Sequence, residues 1–380
     1  MTGVAQMPEM QDVFRLYGED YINTHSPPPH VCRAIRDIRN CRTAALGGHS
    51  ESCDECGFVK ISYNSCRNRH CPKCQALTKE RWILDREAEL LPVTYFHVVF
   101  TLPEELNHIV LRNREAMFGL LFKASSDTLK ALALDEKHLG AQAGFFSILH
   151  TWGQNLMFHP HVHIVIPGGG LTGGGRWINT RSRKFFIPVK VMAKLFRGKF
   201  LHALKNSRNK IQGLEDDGVW RGLANTLYAK DWYVYCKRPF KTCRSVLRYL
   251  GRYTHRIAIS NHRIVSIQDG KVSFKWRDYK NSSKEKVMAL SADEFMRRFL
   301  MHVLPPGFTK IRHYGFLASA VKKAKLALCK TLTGAAASVK VNLSTVDLMM
   351  KLTGRDVTLC PSCGIGRFTP ASGLSPPKAV

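Results

Sequence analysis

The sequence predicts an α+β fold: a central antiparallel sheet flanked by helices, preceded by a helical, cysteine-rich N-terminal module. Three observations carry this. Strand-like and helix-like runs mix irregularly through the middle of the chain, without a regular βαβ alternation. Seven of the twelve cysteines (Cys32, Cys41, Cys53, Cys56, Cys66, Cys71, Cys74) crowd into one early segment. A chain of 380 residues with 44% hydrophobic content has apolar mass for a real core, and its length suits two or three domains.

Residues 1–45 read as mainly helical, with Pro27-Pro28-Pro29 leading into a helix near Val31–Ala45. Residues 46–76 are loop-rich, and Leu77–Leu91 has helical periodicity. Tyr95–Pro103 is a β-rich run closed by proline, followed by a helix through Leu106–Leu134. Gly144–Trp152 and His159–Gly169 form an adjacent strand pair, and LTGGGRWI suggests a hairpin. Lys190–Lys210 is a basic amphipathic helix and Asp231–Phe240 a strand. Thr242–His255 is helical, with IAIS turning to strand. RIVSIQDGKVSFKWRDY is a hairpin turned at Asp269-Gly270. A helix then stops at Pro305-Pro306, Lys322–Lys330 is helical, and the final ASGLSPPKAV reads as disordered.

Lys and Arg number 57 against 29 Asp and Glu, a net +28 that calls for a polyanionic partner, most simply nucleic acid. No acid lies between Glu136 and Glu215, or between Asp231 and Asp269. A site that approaches phosphates gains from excluding carboxylates. No apolar run approaches a membrane span, so no membrane partner is expected. The N-terminus lacks an apolar signal segment, which leaves a cytoplasmic, nucleoid-associated protein as the expectation.

Clustered cysteines in such a setting read as metal ligands. Cys53-x-x-Cys56 and Cys71-x-x-Cys74 form a CxxC…CxxC pair suited to one tetrahedral, structural Zn²⁺. Cys41, His49, Cys66 and His70 are left over for a second zinc, with Cys32 a further candidate. Arg67, Arg69 and Lys73 give this module a DNA-contacting character. The lone Cys360-x-x-Cys363 is half of a site completed elsewhere, or nothing; Cys236, Cys243 and Cys329 read as ordinary buried thiols.

His161-Val162-His163 puts two imidazoles on one face of a strand. They can grip a catalytic Mg²⁺ or Mn²⁺ at a phosphate, with His150 the best third ligand, Gln154 next, and His159 an orienting neighbour. Tyr249 and Tyr253 are four apart on the expected helix, interleaved with Arg244, Arg248 and Arg252. A phenol is a weak nucleophile near neutrality, and this basic setting would activate it.

CRTAALGGH, YNSCRNRHCPKCQ, FHVVFTLP, LHTWGQNLMFHPHVH, RYLGRYTHRIAIS and LPPGFTKIRHYGFLA, spanning roughly residues 40–320, resemble a two-tyrosine HUH rolling-circle transposase of the insertion sequence ninety-one family. The resemblance implies an HUH nuclease core with a ferredoxin/RRM-like antiparallel sheet. It implies His161 and His163 as metal ligands, His150 as the upstream histidine of the triad, and Tyr249 and Tyr253 as nucleophiles. It implies cleavage of single-stranded or hairpin DNA ends, and of target DNA, through 5′-phosphotyrosine intermediates. No P-loop is present, so unwinding comes from host replication or helicase machinery, or from transient single strands. The expected division is 1–45 helical, 46–90 zinc-binding module and linker helix, 91–320 nuclease, and 321–380 a basic C-terminal region with a disordered tail.

A transposase built on a carboxylate cluster is disfavoured by the placement of the acids. A zinc-dependent DNA-binding regulator without catalysis explains the charge and cysteines but not the histidine and tyrosine sets. An RNA-binding protein would have RNA outcompeting DNA.

Overall fold

The computed structural model describes residues 7–182, 186–237, 258–279, 281–336 and 342–376, together with Ser245, Leu247 and Gly251. The chain opens with α1 (Met10–His25) and α2 (Pro29–Asn40). Proline starts α2 at no cost, because the first N–H groups of a helix have no internal partner anyway. The segment expected to be loop-rich contains a hairpin, β1 (Gly48–Cys53) and β2 (Val59–Tyr63), before α3 (Gln75–Glu87).

Next come β3 (Tyr95–Thr101), α4 (Asn107–Arg112), α5 (Arg114–Leu134), β4 (Gly144–Trp152) and β5 (Phe158–Pro167). The single expected helix over Leu106–Leu134 is broken at Asn113. Its backbone leaves the helical region, and its amide donates to the Ile109 and Gln212 carbonyls at 3.0 and 2.9 Å.

The glycine hairpin is β6 (Gly169–Leu171) and β7 (Trp177–Asn179). Then follow α6 (Val189–Ser207), α7 (Asp217–Ala229) and β8 (Val234–Lys237). A meander of β9 (Ile264–Gln268), β10 (Lys271–Asp278) and β11 (Lys284–Ser291) runs into α8 (Ala292–Leu300). Its first turn has φ of 50° at Asp269 and 69° at Gly270, the primed turn the sequence indicates. The chain continues through β12 (Ile311–Gly315), α9 (Lys322–Leu332), α10 (Thr345–Thr353) and β13 (Phe368–Leu374).

The main sheet is fully antiparallel, in the order β12-β4-β5-β3-β8. Side chains alternate across it. On one face Val162, Ile164 and Ile166 of β5 pack with Phe118, Phe122 and Phe196 of α5 and α6 in the largest core. On the other, Tyr95, Phe146, Ile148 and Val165 meet Ile83 of α3 and Leu247. A separate core joins α1 and α2 to α8 and the meander, with Phe14 edge-on to Phe299 at 5.5 Å.

Ala371–Leu374 of the supposed disordered tail belong to β13, which pairs with β1 from Phe368↔Cys53 to Leu374↔Gly48. The open edge of β1 supplies the partner that a polar, proline-rich tail does not advertise in its own composition. Ala258 to Ser260 do not form the expected strand, Ala258 having a φ of 52°.

Candidate active site and metal centres

β5 runs through the middle of the sheet, and its alternation sends His161, His163 and Val165 to the face opposite the main core. β4 lies antiparallel beside it with His150 opposite His161. A register shift between His150 and Trp152 bends the strand there. His150, His161 and His163 are all buried, and one ring nitrogen from each lies within 4.8 Å of the others.

Hydrogen bonds fix how these rings present themselves. A carbonyl only accepts, so His161 Nδ1 donates to the His159 carbonyl at 2.6 Å, leaving a lone pair on its Nε2. That Nε2 is 3.1 Å from His163 Nε2. Two ligand atoms about 2.1 Å from one ion, at roughly 90°, must be about 3 Å apart. On the far side, His163 Nδ1 meets His97 Nε2 at 2.7 Å. When His163 Nδ1 donates to His97, both facing Nε2 atoms carry lone pairs, and only a cation between them makes that favourable. Burial drives His161 down to about 3 and His163 well below its ordinary value, so both are neutral donors near pH 7. The donor set therefore fits a divalent cation.

The imidazole of His150 is held by stacking on Trp152, ring centroids 4.6 Å apart, and Lys310 Nζ caps that indole at 5.0 Å. Burial, with Arg69 nearby, lowers Lys310 to about 7. The histidines open into a cleft of about 730 Å³, whose far wall is Trp276, Arg277, Asp278, Tyr279 and Asn281 at the end of the β10–β11 turn. Asp278 is tied to Lys286 and Asn281 at 2.8 and 2.7 Å, which neutralises the carboxylate nearest the histidines in this wall.

Sequence reasoning missed both that wall and His97. The signal for His97 was present: it is the one histidine in β3, a strand otherwise polar only at its two end residues, Tyr95 and Thr101. Gln154, the second choice of third ligand, lines the cleft and donates to the Tyr279 hydroxyl at 3.2 Å. His159 contributes its carbonyl, where its ring was expected to orient a ligand.

Tyr249, Tyr253, Arg244, Arg248, Arg252 and Cys243 lie outside the described residues. Their neighbours in sequence are informative. Leu247, fully buried, packs with Val165 and Ile148 on the histidine-bearing face. Gly251 is so close to α3 that a Cβ there would stand 2.4 Å from Ile83 Cδ1.

The cysteines partition differently from the sequence expectation. Cys71 and Cys74 join Cys41 and Cys66, with Sγ–Sγ distances of 3.4 Å (Cys41–Cys74) and 3.6 Å (Cys66–Cys74). Cys53 and Cys56 lie with Cys360 and Cys363. The reason is the β1–β2 hairpin: its strands rise roughly 3.3 Å per residue, which carries the Cys53–Cys56 turn far from the hairpin base. In the first cluster, contacts among the thiols hold Cys41 down to about 7 and Cys74 lower still, while pushing Cys66 and Cys71 up. Four sulfurs this close share fewer negative charges than they could carry, which is the electrostatic situation a Zn²⁺ resolves.

His49 and His70 stand outside both clusters. His49 is exposed on β1. Both nitrogens of His70 are occupied: Nε2 accepts the Leu304 amide at 3.1 Å and Nδ1 meets Asn68 Oδ1 at 3.0 Å. Cys32 donates to the Pro27 carbonyl. Of the module's expected DNA contacts, Arg67 is exposed. Arg69 turns inward to the Phe308 carbonyl at 2.9 Å, and Lys73 is tied to Glu9 and Gln11. Cys329 is buried and Cys236 half-buried, both outside the clusters.

An antiparallel sheet with imidazoles converging from two adjacent strands, beside a cysteine-rich module, is the frame in which the comparisons with known proteins fall. A family model described as "Putative transposase" matches residues 144–325, and one described as "Transposase zinc-binding domain" matches residues 13–102. The "Putative transposase y4qJ" of Sinorhizobium fredii is 46% identical over 375 residues, covering 95% of this chain and 94% of that one. The transposase for insertion sequence element IS801 of Pseudomonas savastanoi pv. phaseolicola is 30% identical, covering 74% and 68%. Among solved structures, the conjugative relaxase TrwC in complex with oriT DNA aligns at 12% identity and a TM-score of 0.25, over 43% of this chain and 71% of that one. The chain belongs to the insertion sequence ninety-one family of transposases, and it carries that family's zinc-binding domain.

Proposed function

We propose that this transposase cuts and rejoins single-stranded DNA at element ends through phosphotyrosine esters on Tyr249 and Tyr253. The observation that carries the reading is one shared face. The three convergent histidines and the apolar patch that receives Leu247 occupy the same side of the same sheet, with Gly251 against Ile83. Leu247 and Gly251 flank Tyr249 in sequence, each two residues away.

His150, His161 and His163 would hold the divalent cation, Mg²⁺ or Mn²⁺. When bound, the cation polarises the scissile phosphate and stabilises charge on its oxygens. The phenol oxygen attacks phosphorus, the 3′ oxygen leaves and takes up a proton, and the 5′ phosphate remains on tyrosine. Attack by a second 3′ hydroxyl reverses the exchange and rejoins strands. One phosphodiester is made for each broken, so no nucleotide cofactor is consumed. Arg244, Arg248, Arg252 and exposed Arg67 would carry the strand's phosphates.

The test is incubation of the whole protein with labelled single-stranded end DNA and Mn²⁺, followed by denaturing electrophoresis. Wild type gives a protein–DNA adduct, and the Tyr249→Phe, Tyr253→Phe double variant gives none. An undiminished adduct in the double variant rules out these nucleophiles.

A further inference from the structure

We propose that Cys53, Cys56, Cys360 and Cys363 form a second structural zinc site, which clasps the C-terminal segment onto the N-terminal module. The zinc-binding domain matched above ends at residue 102, far short of the last two of these residues.

The sulfurs have the right spacing. Cys53 Sγ is 3.8 Å from Cys363 Sγ, and Cys56 Sγ is 3.7 Å from Cys360 Sγ. Four sulfurs each about 2.3 Å from one tetrahedral ion stand about 3.8 Å apart. A disulfide would need about 2.05 Å, and all four thiols are free.

The two halves are built alike. Each is Cys-x-x-Cys-Gly, and the glycine amide closes the turn on the first cysteine's carbonyl: Gly57 to Cys53 at 3.1 Å, Gly364 to Cys360 at 2.9 Å. The glycines take φ of 69° and 72°, the left-handed conformation that a side chain resists. Amides also point at sulfur, from Ser362 to Cys360 at 3.4 Å and from Gly366 to Cys363 at 3.3 Å, the contacts that stabilise thiolates. A Cβ on Gly366 would lie 2.4 Å from Cys53 Sγ, so the backbone there approaches sulfur as closely as glycine allows. Asp54 and Arg367 brace the halves, through Arg367 N to Asp54 Oδ1 at 2.7 Å and Asp54 N to the Arg367 carbonyl at 3.1 Å. Cys53 and Cys360 are almost wholly buried.

The clasp joins residues some three hundred positions apart, Cys53 and Cys363 being separated by 310. It lies at the end of the β1–β13 pairing, next to the Cys53↔Phe368 pair. Between the knuckle and the rest of the fold sits α10, whose Lys351 pairs with Glu80 at 3.0 Å and whose Thr345 accepts from Arg81 at 2.8 Å. Those partners lie on α3, the helix whose Ile83 backs Gly251. Zinc at the clasp thus steadies the support behind the tyrosine-bearing segment.

The experiment counts thiolate-bound zinc in the reduced, full-length protein, released by a mercurial and measured with a colorimetric chelator. Wild type is expected to release two zinc ions per chain. Cys360→Ser, Cys363→Ser should release one and should lose its C-terminal segment to trypsin faster. Cys53→Ser, Cys56→Ser should show the same drop. One zinc per wild-type chain overturns the proposal even if the variants fail to fold. So does retention of two zinc ions by the Cys360→Ser, Cys363→Ser protein.

Discussion

His97 and His163 meet across neighbouring strands, Nε2 to Nδ1 at 2.7 Å, with their rings stacked at a centroid distance of 5.0 Å. This contact sets which nitrogen of His163 faces His161. A partner that orients a ligand is worth about 10–100-fold in metal affinity. His97→Ala is therefore expected to raise the Mn²⁺ concentration for half-maximal strand cleavage by about that factor. Saturating Mn²⁺ should recover most of the rate. An unchanged metal dependence would remove His97 from this role.

Gly251 and Ile83 offer a paired test of the helix seat. Gly251→Val forces a side chain into Ile83, which pushes Gly251 away from α3. Displacements of about 1 Å cost on the order of a hundredfold in rate. Cleavage should fall while end binding in gel-shift assays persists. Adding Ile83→Ala to the same chain should restore much of the activity, a coupling that a double-mutant cycle quantifies.

Buried neutral histidines tie stability to pH. His302 is buried between Thr151 Oγ1 at 3.1 Å and the Leu156 carbonyl at 3.0 Å, and burial lowers it to about 3. The unfolded chain binds this proton near pH 6.5 and the folded chain does not until about pH 3. Between those values the unfolded state holds the extra proton, so stability falls as pH falls, by about 1.4 kcal/mol per pH unit for each such group. His302→Gln should flatten the slope of urea-unfolding stability against pH over that window by about one proton. An unchanged slope contradicts it.

The first cysteine cluster is also part of a core, since Cys41 and Cys71 pack with Ile35, Ile38 and Phe14. Cys71→Ser, or stripping with a strong chelator, should lower Tm by on the order of 5–10 °C in scanning calorimetry. The wild-type value should return on adding Zn²⁺ to the stripped protein but not to the variant.

Local patterns were legible in the sequence, and long-range choices were not. Gly144–Trp152 is a strand with the expected bounds, and the Asp269-Gly270 turn is where its residue types put it. His150 beside the His161–His163 pair also follows, because period-two alternation on adjacent strands fixes a face. Which CxxC lies beside which is another matter. Each turn specifies only its own two sulfurs, and the partner of Cys53–Cys56 lies some three hundred residues away, in a turn just ahead of a strand of Phe, Thr, Pro, Ala, Ser, Gly and Leu. The cleft wall at Trp276–Asn281 was hidden for the same reason, being brought to the histidines by packing between separate sheets.

The most direct test of phosphotyrosine chemistry is to trap the wild-type protein on single-stranded end DNA, digest protein and DNA, and locate the nucleotide-modified peptide by mass spectrometry. The account predicts a 5′-linked nucleotide on Tyr249 or Tyr253. A nucleotide mapped to any other residue would contradict it.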